Sequence, residues 1–246
     1  MNLYKADLHI HTVLSPCGDL SMSPLNIVEK AAAVGLNIIG ITDHNSTLHG
    51  PVTKKLAEKK GIMVVYGAEV TTKEDIHCLC LFENEEQRIN FQGFIDSNLP
   101  KIKNKTSIFG HQVVVNENEE ILEEIESLLI TGLNASIDEI ERKVHELDGL
   151  FIPAHIDRQK YSLTSQLGFV PSDLKFDALE ISRNISLEKA NQTFSYIKNA
   201  RFIRTSDAHN IEQIGSNPST MKMEKLNWNE LKLAILETCG REVLIS

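Results

Sequence analysis

ADLHIHTVLSPCGDLSMSPLNIVEKAAAVGLNIIGITD, residues 6–43, carries the reading of the fold. Its two ends, ADLHIH and LNIIGITD, are apolar, β-branched runs of strand length. Between them Ser23 offers an N-cap, Pro24 suits a first helical turn, the following residues present an apolar face, and Gly35 is a stop signal. Further strand-like runs follow at GIMVVYGAEV, IHCLCLF, GLFIPAH, DALEIS and ARFIRTSD, most of them separated by helical patterns. Strand alternating with helix predicts an α/β fold of parallel strands and crossover helices. The segment PVTKKLAEKKG repeats the helical grammar, and residues 84–98, 118–130, 136–147 and about 186–199 read the same way, with Ser136 and Glu139 in a capping-box pattern. Residues 100–118 are irregular apart from a short VVV run, and read as an insertion over one mouth or edge of the fold.

At 246 residues the chain suits a single domain spanning 1–246, a size that β/α barrels commonly reach. The formal charge of −9 argues against a broad basic surface for nucleic acid, although Lys101, Lys103 and Lys105 could still touch phosphates. Cys17, Cys78, Cys80 and Cys239 show no Cys-x-x-Cys pairing and read as reduced thiols. The start MNLYKADLHI lacks the pattern of a secretory signal, and no apolar run reaches bilayer-spanning length, so a cytoplasmic protein without a membrane partner is expected.

A strand points residues two apart the same way, so His9 and His11 can aim two imidazoles at one point. Asp207 and His209 repeat that spacing near the other end of the chain. His9, His11, Asp43, His44, Glu69, His155, Asp207 and His209 all fall at the C-terminal ends of expected strands, where β/α barrels assemble their sites. Mixed nitrogen and oxygen ligands suit Zn, Mn or Fe, and the two oxygens of Glu69 could bridge two ions. His77 opens its strand and shares a face with Leu79, while Cys78 and Cys80 share the other, beneath helices. A packed core histidine is the competing reading for His77, but its nearness to Glu69 favours the metal. Asp7 and Asp43 read as residues that orient histidines, His49 as an exposed loop residue and His145 as an ordinary helical position. His111, in the insertion, could be a substrate contact or an acid.

Taken in order, DLHIHT, ITDHN, the acid after the third strand, PAH and TSDAH resemble the PHP (polymerase and histidinol phosphatase) superfamily over essentially the whole chain. The resemblance implies a distorted (β/α)7 TIM-like barrel holding two or three divalent ions. By it, His9, His11, Glu69 and Asp207 would hold a first ion, Glu69, His77 and His155 a second, and His44 and His209 a third. Relatives take a further ligand for the third ion from the loop after His-x-His. Here that loop carries Pro16 where an acid often stands, which makes Asp19 the first candidate and Cys17 the second.

Clustered divalent ions activate a hydroxide and stabilise charge on phosphoryl oxygens, so the expected reaction is hydrolysis of a phosphomonoester or short nucleotide. Asp207, His209 and Arg158 are the candidate catalytic residues, with Arg158 clamping a phosphate oxygen. Arg183 and Arg204 are weaker phosphate candidates, and Asp157, His209 or water could protonate the leaving group. The expected partner is a small phosphorylated molecule or a short oligonucleotide. Two alternatives stand beside this reading. One is an amidohydrolase-like enzyme, disfavoured because no Lys stands where His77 does, and the other is a non-catalytic metal-binding scaffold.

Overall fold

The computed structural model describes residues 1–245. Strand β1 (Asn2–Ile10), helix α1 (Pro24–Ala33), β2 (Ile38–Ile41), α2 (Gly50–Glu58) and β3 (Met63–Thr71) form the expected alternation, and β1, β2 and β3 pair in parallel. Local chemistry starts α1 as the sequence implies: the Ser23 hydroxyl accepts from Asn26 N at 3.2 Å, with Pro24 at the first turn. Gly40 is required by packing, since a Cβ there would lie 2.5 Å from the Leu8 carbonyl oxygen on the neighbouring strand.

The fourth strand departs from the expected parallel arrangement. β4 (His77–Phe82) runs antiparallel to β3, and β7 (Leu150–Pro153) runs antiparallel to β4. Only residues 72–76 join β3 to β4, far short of the dozen or so that a parallel crossover needs. Thr72 closes that turn, its hydroxyl accepting from Glu74 N and Ile76 N at 3.1 and 3.3 Å. Helix α3 (Glu85–Asn98) follows, opened by an Asn84–Gln87 capping box.

The insertion is also longer and more ordered than its sequence suggested. It contains a short helix α4 (Thr106–Phe109) and an antiparallel pair, β5 (Val113–Val115) with β6 (Ile121–Glu124). Residues 118–130 are therefore not a helix. The Asn116 side chain accepts from Asn118 N and Glu120 N, and Glu119 takes a left-handed φ of +64°. That turn chemistry closes a hairpin and overrides the helical pattern.

The remainder comprises α5 (Ile137–Glu146), α6 (Leu163–Leu167), β8 (Leu179–Ile181), α7 (Leu187–Thr193), β9 (Phe202–Arg204), β10 (Ser219–Met223), α8 (Trp228–Ile235) and β11 (Glu242–Leu244). The main sheet, in the order β11-β10-β1-β2-β3-β4-β7, is a curled seven-strand half-barrel, and β8 and β9 form a separate parallel pair. Backbone hydrogen bonds tie the two sheets at both sides: Asp177 N to Phe151 O and Ile156 N to Glu180 O, each 2.9 Å, and His11 N to Ala208 O at 3.0 Å. Leu8, Ile38, Val65, Leu79, Ile152 and Ile203 pack on the inner face, whereas Cys78 and Cys80 lie on the outer face against Phe91 and Ile140. Among the described residues no helix is long and apolar enough to cross a membrane.

Candidate metal centre

The antiparallel turn explains how His77, at the start of a strand, joins residues from strand ends. In the β3–β4 ladder Thr71 pairs with His77 and Glu69 with Leu79, so the first residue of β4 stands at the rim where β3 finishes. His9 and His11 arrive from the end of β1, His44 from the turn after β2, His155 after β7, and Asp207 and His209 after β9. His155 and Asp207 both have left-handed backbones, with φ of +31° and +50°. A non-glycine residue held there costs about 1–3 kcal/mol, and such strain concentrates where side chains are aimed at a common point.

That point is the buried carboxylate of Glu69. Its Oε1 lies 2.9 Å from His77 Nδ1, 3.2 Å from His155 Nε2 and 3.3 Å from His9 Nε2, and its Oε2 lies 3.1 Å from His44 Nδ1 and 3.3 Å from His11 Nε2. Asp207 Oδ1 lies 3.2 Å from His9 Nε2, 3.4 Å from His11 Nε2 and 3.6 Å from His209 Nδ1. The other oxygen of Asp207 pairs with Arg158 Nη1 at 2.6 Å.

The residues around these side chains set their proton positions. The Ser15 hydroxyl donates to Asp43 Oδ1 (2.6 Å) and accepts from His44 N (3.1 Å), so its remaining lone pair takes a proton from His11 Nδ1 at 3.0 Å. His9 Nδ1 likewise donates to Glu180 Oε1 at 3.0 Å. Both rings therefore turn lone pairs on Nε2 toward one place, and those two nitrogens are 3.1 Å apart. Two facing lone pairs with carboxylates beside them call for a cation between them, which is the test the residues pass for holding a metal. Three groups among the described residues bring ligand atoms within 4.8 Å of one another: His9, His11 and Glu69; His44, Glu69 and His77; and His11, Cys17, His44 and His209.

Electrostatics point the same way. Burial pulls the pKa of His9 and His11 down, but the carboxylates overcome it, lifting His9 well above the ordinary value and His11 to about 9. Burial raises Glu69 and Asp207, yet the surrounding imidazoles hold both well below the usual carboxylate range. His209 is pushed down to about 4 by burial and by the charge of His11, and is neutral at pH 7.

Several expected residues lie elsewhere. Asp19 is exposed and turned away from the cluster, its Oδ1 accepting from Ser21 N at 2.8 Å, while Cys17 stands beside His11, His44 and His209. His49 is fully buried rather than exposed, because the insertion covers it: Nε2 accepts from Val115 N at 2.9 Å and Nδ1 donates to Thr12 Oγ1 at 2.5 Å. His111 pairs with Glu124 on the exposed hairpin, and His145 with Glu141 and Asp177, both away from the centre. Asp157 is held by the backbone and hydroxyl of Ser182. Arg204 is buried, with Nη2 donating to Ile185 O, and Arg183 is exposed.

Asp7 binds Ser206 N and Gly215 N, fixing the loop that carries Asp207 rather than a histidine ring. Glu180 was missed by sequence reasoning. It is 1% exposed and binds His9 Nδ1, His155 N and the Thr205 hydroxyl. An acid in the middle of the apolar run DALEIS was the available signal.

The profile of the PHP domain matches residues 7–160. The chain belongs to the PHP domain family. An uncharacterized protein of Methanocaldococcus jannaschii is 41% identical over 90 residues, 33% of this chain and 52% of that protein. A PolC-type DNA polymerase III of Caldanaerobacter subterraneus is 26% identical over 215 residues, 76% of this chain and 15% of the polymerase. This PHP domain thus spans about half, or less, of the length of these curated relatives. Among solved structures, the lesion-specific endonuclease PfuEndoQ from Pyrococcus furiosus superposes with a TM-score of 0.70 at 22% identity, over 98% of this chain and 58% of that one. An amidohydrolase from Chromobacterium violaceum, with bound sulfate and no metal, gives 0.59 at 17% identity, over 98% of this chain and 97% of that one. Likeness at these identities speaks for a shared fold. Asp207 and His209 lie beyond the matched stretch of this PHP domain, and geometry joins them to it.

Proposed function

We propose that this PHP domain is a metal-dependent phosphoesterase acting on a small phosphomonoester or a short oligonucleotide. The observation that carries the reading is the placement of Arg158 on the rim of a cavity of about 510 Å³, with His44, Glu69, His77, His155, Asp207 and His209 lining the same space. His9, His11, Glu69 and Asp207 would hold one divalent ion, Glu69, His77 and His155 a second, and His44 and His209 would serve a third. The same reading takes the half-barrel and the β8–β9 pair as one distorted (β/α)7 barrel, supported by the hydrogen bonds that tie them.

Bound divalent ions lower the pKa of water and offset charge on phosphoryl oxygens. Arg158 anchors itself on Asp207 through Nη1 and has further N–H groups for a non-bridging phosphate oxygen. Asp157 is fully engaged by Ser182 and His209 is neutral, so neither is a ready proton donor, and solvent supplies the proton to the leaving group. The structural likeness to endonuclease Q, solved with a duplex bearing an abasic lesion, makes nucleic acid a substrate to include in the test.

The test is a panel of phosphomonoesters, oligonucleotides and amides offered to protein reconstituted separately with Mn, Zn and Fe. Hydrolysis of p-nitrophenyl phosphate that a chelator abolishes is the expected result. Turnover of amides without phosphoesters would overturn the reading in favour of an amidohydrolase. Full metal occupancy with no hydrolysis would leave a metal-binding scaffold.

A further inference from the structure

The loop between β1 and α1 is folded back on itself more tightly than a surface loop needs to be. Ser15 N bonds Thr12 O at 3.1 Å and Gly18 N bonds Ser15 O at 2.8 Å, making two consecutive turns. A Cβ at Gly18 would lie 2.2 Å from the Thr12 carbonyl oxygen, so no other residue fits there without moving the loop. Asp19 N then bonds His209 O at 2.8 Å, fastening the loop to the segment that carries His209. These contacts suspend Cys17 among His11, His44 and His209, while the Asp19 side chain is occupied on the outside by Ser21.

A second observation comes from His44. Its ring is buried and stands 4.6 Å from the ring of His11 and 6.4 Å from that of His209, and its Nδ1, 3.1 Å from Glu69 Oε2, meets that carboxylate without forming a hydrogen bond. A buried imidazole that makes no hydrogen bond is available to an ion. His11 cannot serve two ions at once, because Ser15 takes its Nδ1 proton and leaves one lone pair, which faces Glu69 and Asp207.

Resting on the metal-dependent reading above, we propose that the Cys17 thiolate, with His44 and His209, forms a sulfur-containing third ion position with one coordination place open. Three protein donors and an open place are the pattern of a reactive rather than a structural site. A thiolate is a soft ligand, so this position takes Zn²⁺, Co²⁺ or Fe²⁺ and discriminates against Mg²⁺ and Mn²⁺, whereas the oxygen-rich positions around Glu69 accept the harder ions. Binding there releases the thiol proton.

Cobalt(II) titration of the full chain tests this, because a cobalt–thiolate bond gives a near-ultraviolet charge-transfer band and nitrogen or oxygen ligands do not. The band is expected in the unaltered protein and in Cys239→Ser, which removes the other exposed thiol, and is expected to vanish in Cys17→Ser. Metal analysis should show about one ion fewer per chain in Cys17→Ser and no loss in Asp19→Asn, with circular dichroism confirming that each variant is folded. Cobalt bound with visible d–d bands but no charge-transfer band overturns the Cys17 assignment alone. Persistence of the band in Cys17→Ser does the same, and failure of the unaltered protein to bind cobalt overturns the metal-dependent reading together with it.

Discussion

Arg158 Nη1 lies 2.6 Å from Asp207 Oδ2, joining the segment after β7 to the segment after β9 across the mouth of the cavity. A guanidinium at the rim keeps one N–H on a fixed carboxylate and presents the rest to the cavity. Lysine has no planar fork and cannot do both. On the proposed phosphoesterase activity, Arg158→Ala is expected to lower kcat/KM by about 100-fold, the cost of losing one oriented donor to developing charge. Arg158→Lys should recover little of it. Steady-state kinetics on p-nitrophenyl phosphate checks both.

Glu180 governs His9 without facing the cavity centre, as its Oε1 accepts the Nδ1 proton and so keeps Nε2 free for an ion. Glu180→Gln lets the amide donate to Nδ1 instead, allowing the proton to sit on Nε2. Metal affinity is expected to fall by about 10–100-fold. Competition against a chromophoric chelator measures it, and unchanged affinity would remove Glu180 from this role.

Asp43 accepts from Thr12 N, from the Thr12 hydroxyl and from the Ser15 hydroxyl, all buried. Asp43→Ala strands three donors at once. With about 1–3 kcal/mol for each unsatisfied group, a loss of about 3 kcal/mol or more is expected in urea denaturation.

His145 offers a pH test remote from the candidate centre. The hydrogen bond it donates to Asp177 raises its pKa above 6.5, burial opposes, and the charge of Asp177 and the contact with Glu141 add to the rise. A histidine raised in the folded state contributes stability that is fully present below its unfolded pKa and lost as pH rises through the folded value. His145→Gln is therefore expected to destabilise the protein most at about pH 6 and least at about pH 9. Thermal melts of the two proteins across that range check it, and a deficit that grows with pH would contradict it.

The residues around Glu69 were legible because their signals are local. Same-face spacing pairs His9 with His11, and strand ends bring in His44, His155, Asp207 and His209. The sense of β4 was present in the five residues 72–76, though a reading by alternation passes over loop length. Other features depend on partners far along the chain. His49 looks exposed until Val115 covers it, Glu180 looks like a stray acid until His9 meets it, and nothing local separates Asp19 from Cys17. The β5–β6 hairpin was misread because Asn116 and Glu119 specify a turn more strongly than the flanking residues specify a helix.

The hydrogen bond from Val115 N to His49 Nε2 has a practical consequence for engineering. It belongs to a buried root, where Val113 and Val115 pack on Val13, whereas the β6 strand is exposed along its whole length. The exposed side chain of Asn118 at the tip is a natural handle for a fluorophore or an affinity tag, between Glu117, which pairs with Lys55, and Glu119, which accepts from the Ser23 hydroxyl. Proline at Val115 would remove the one donor His49 depends on, so the root of the hairpin tolerates far less revision than its tip.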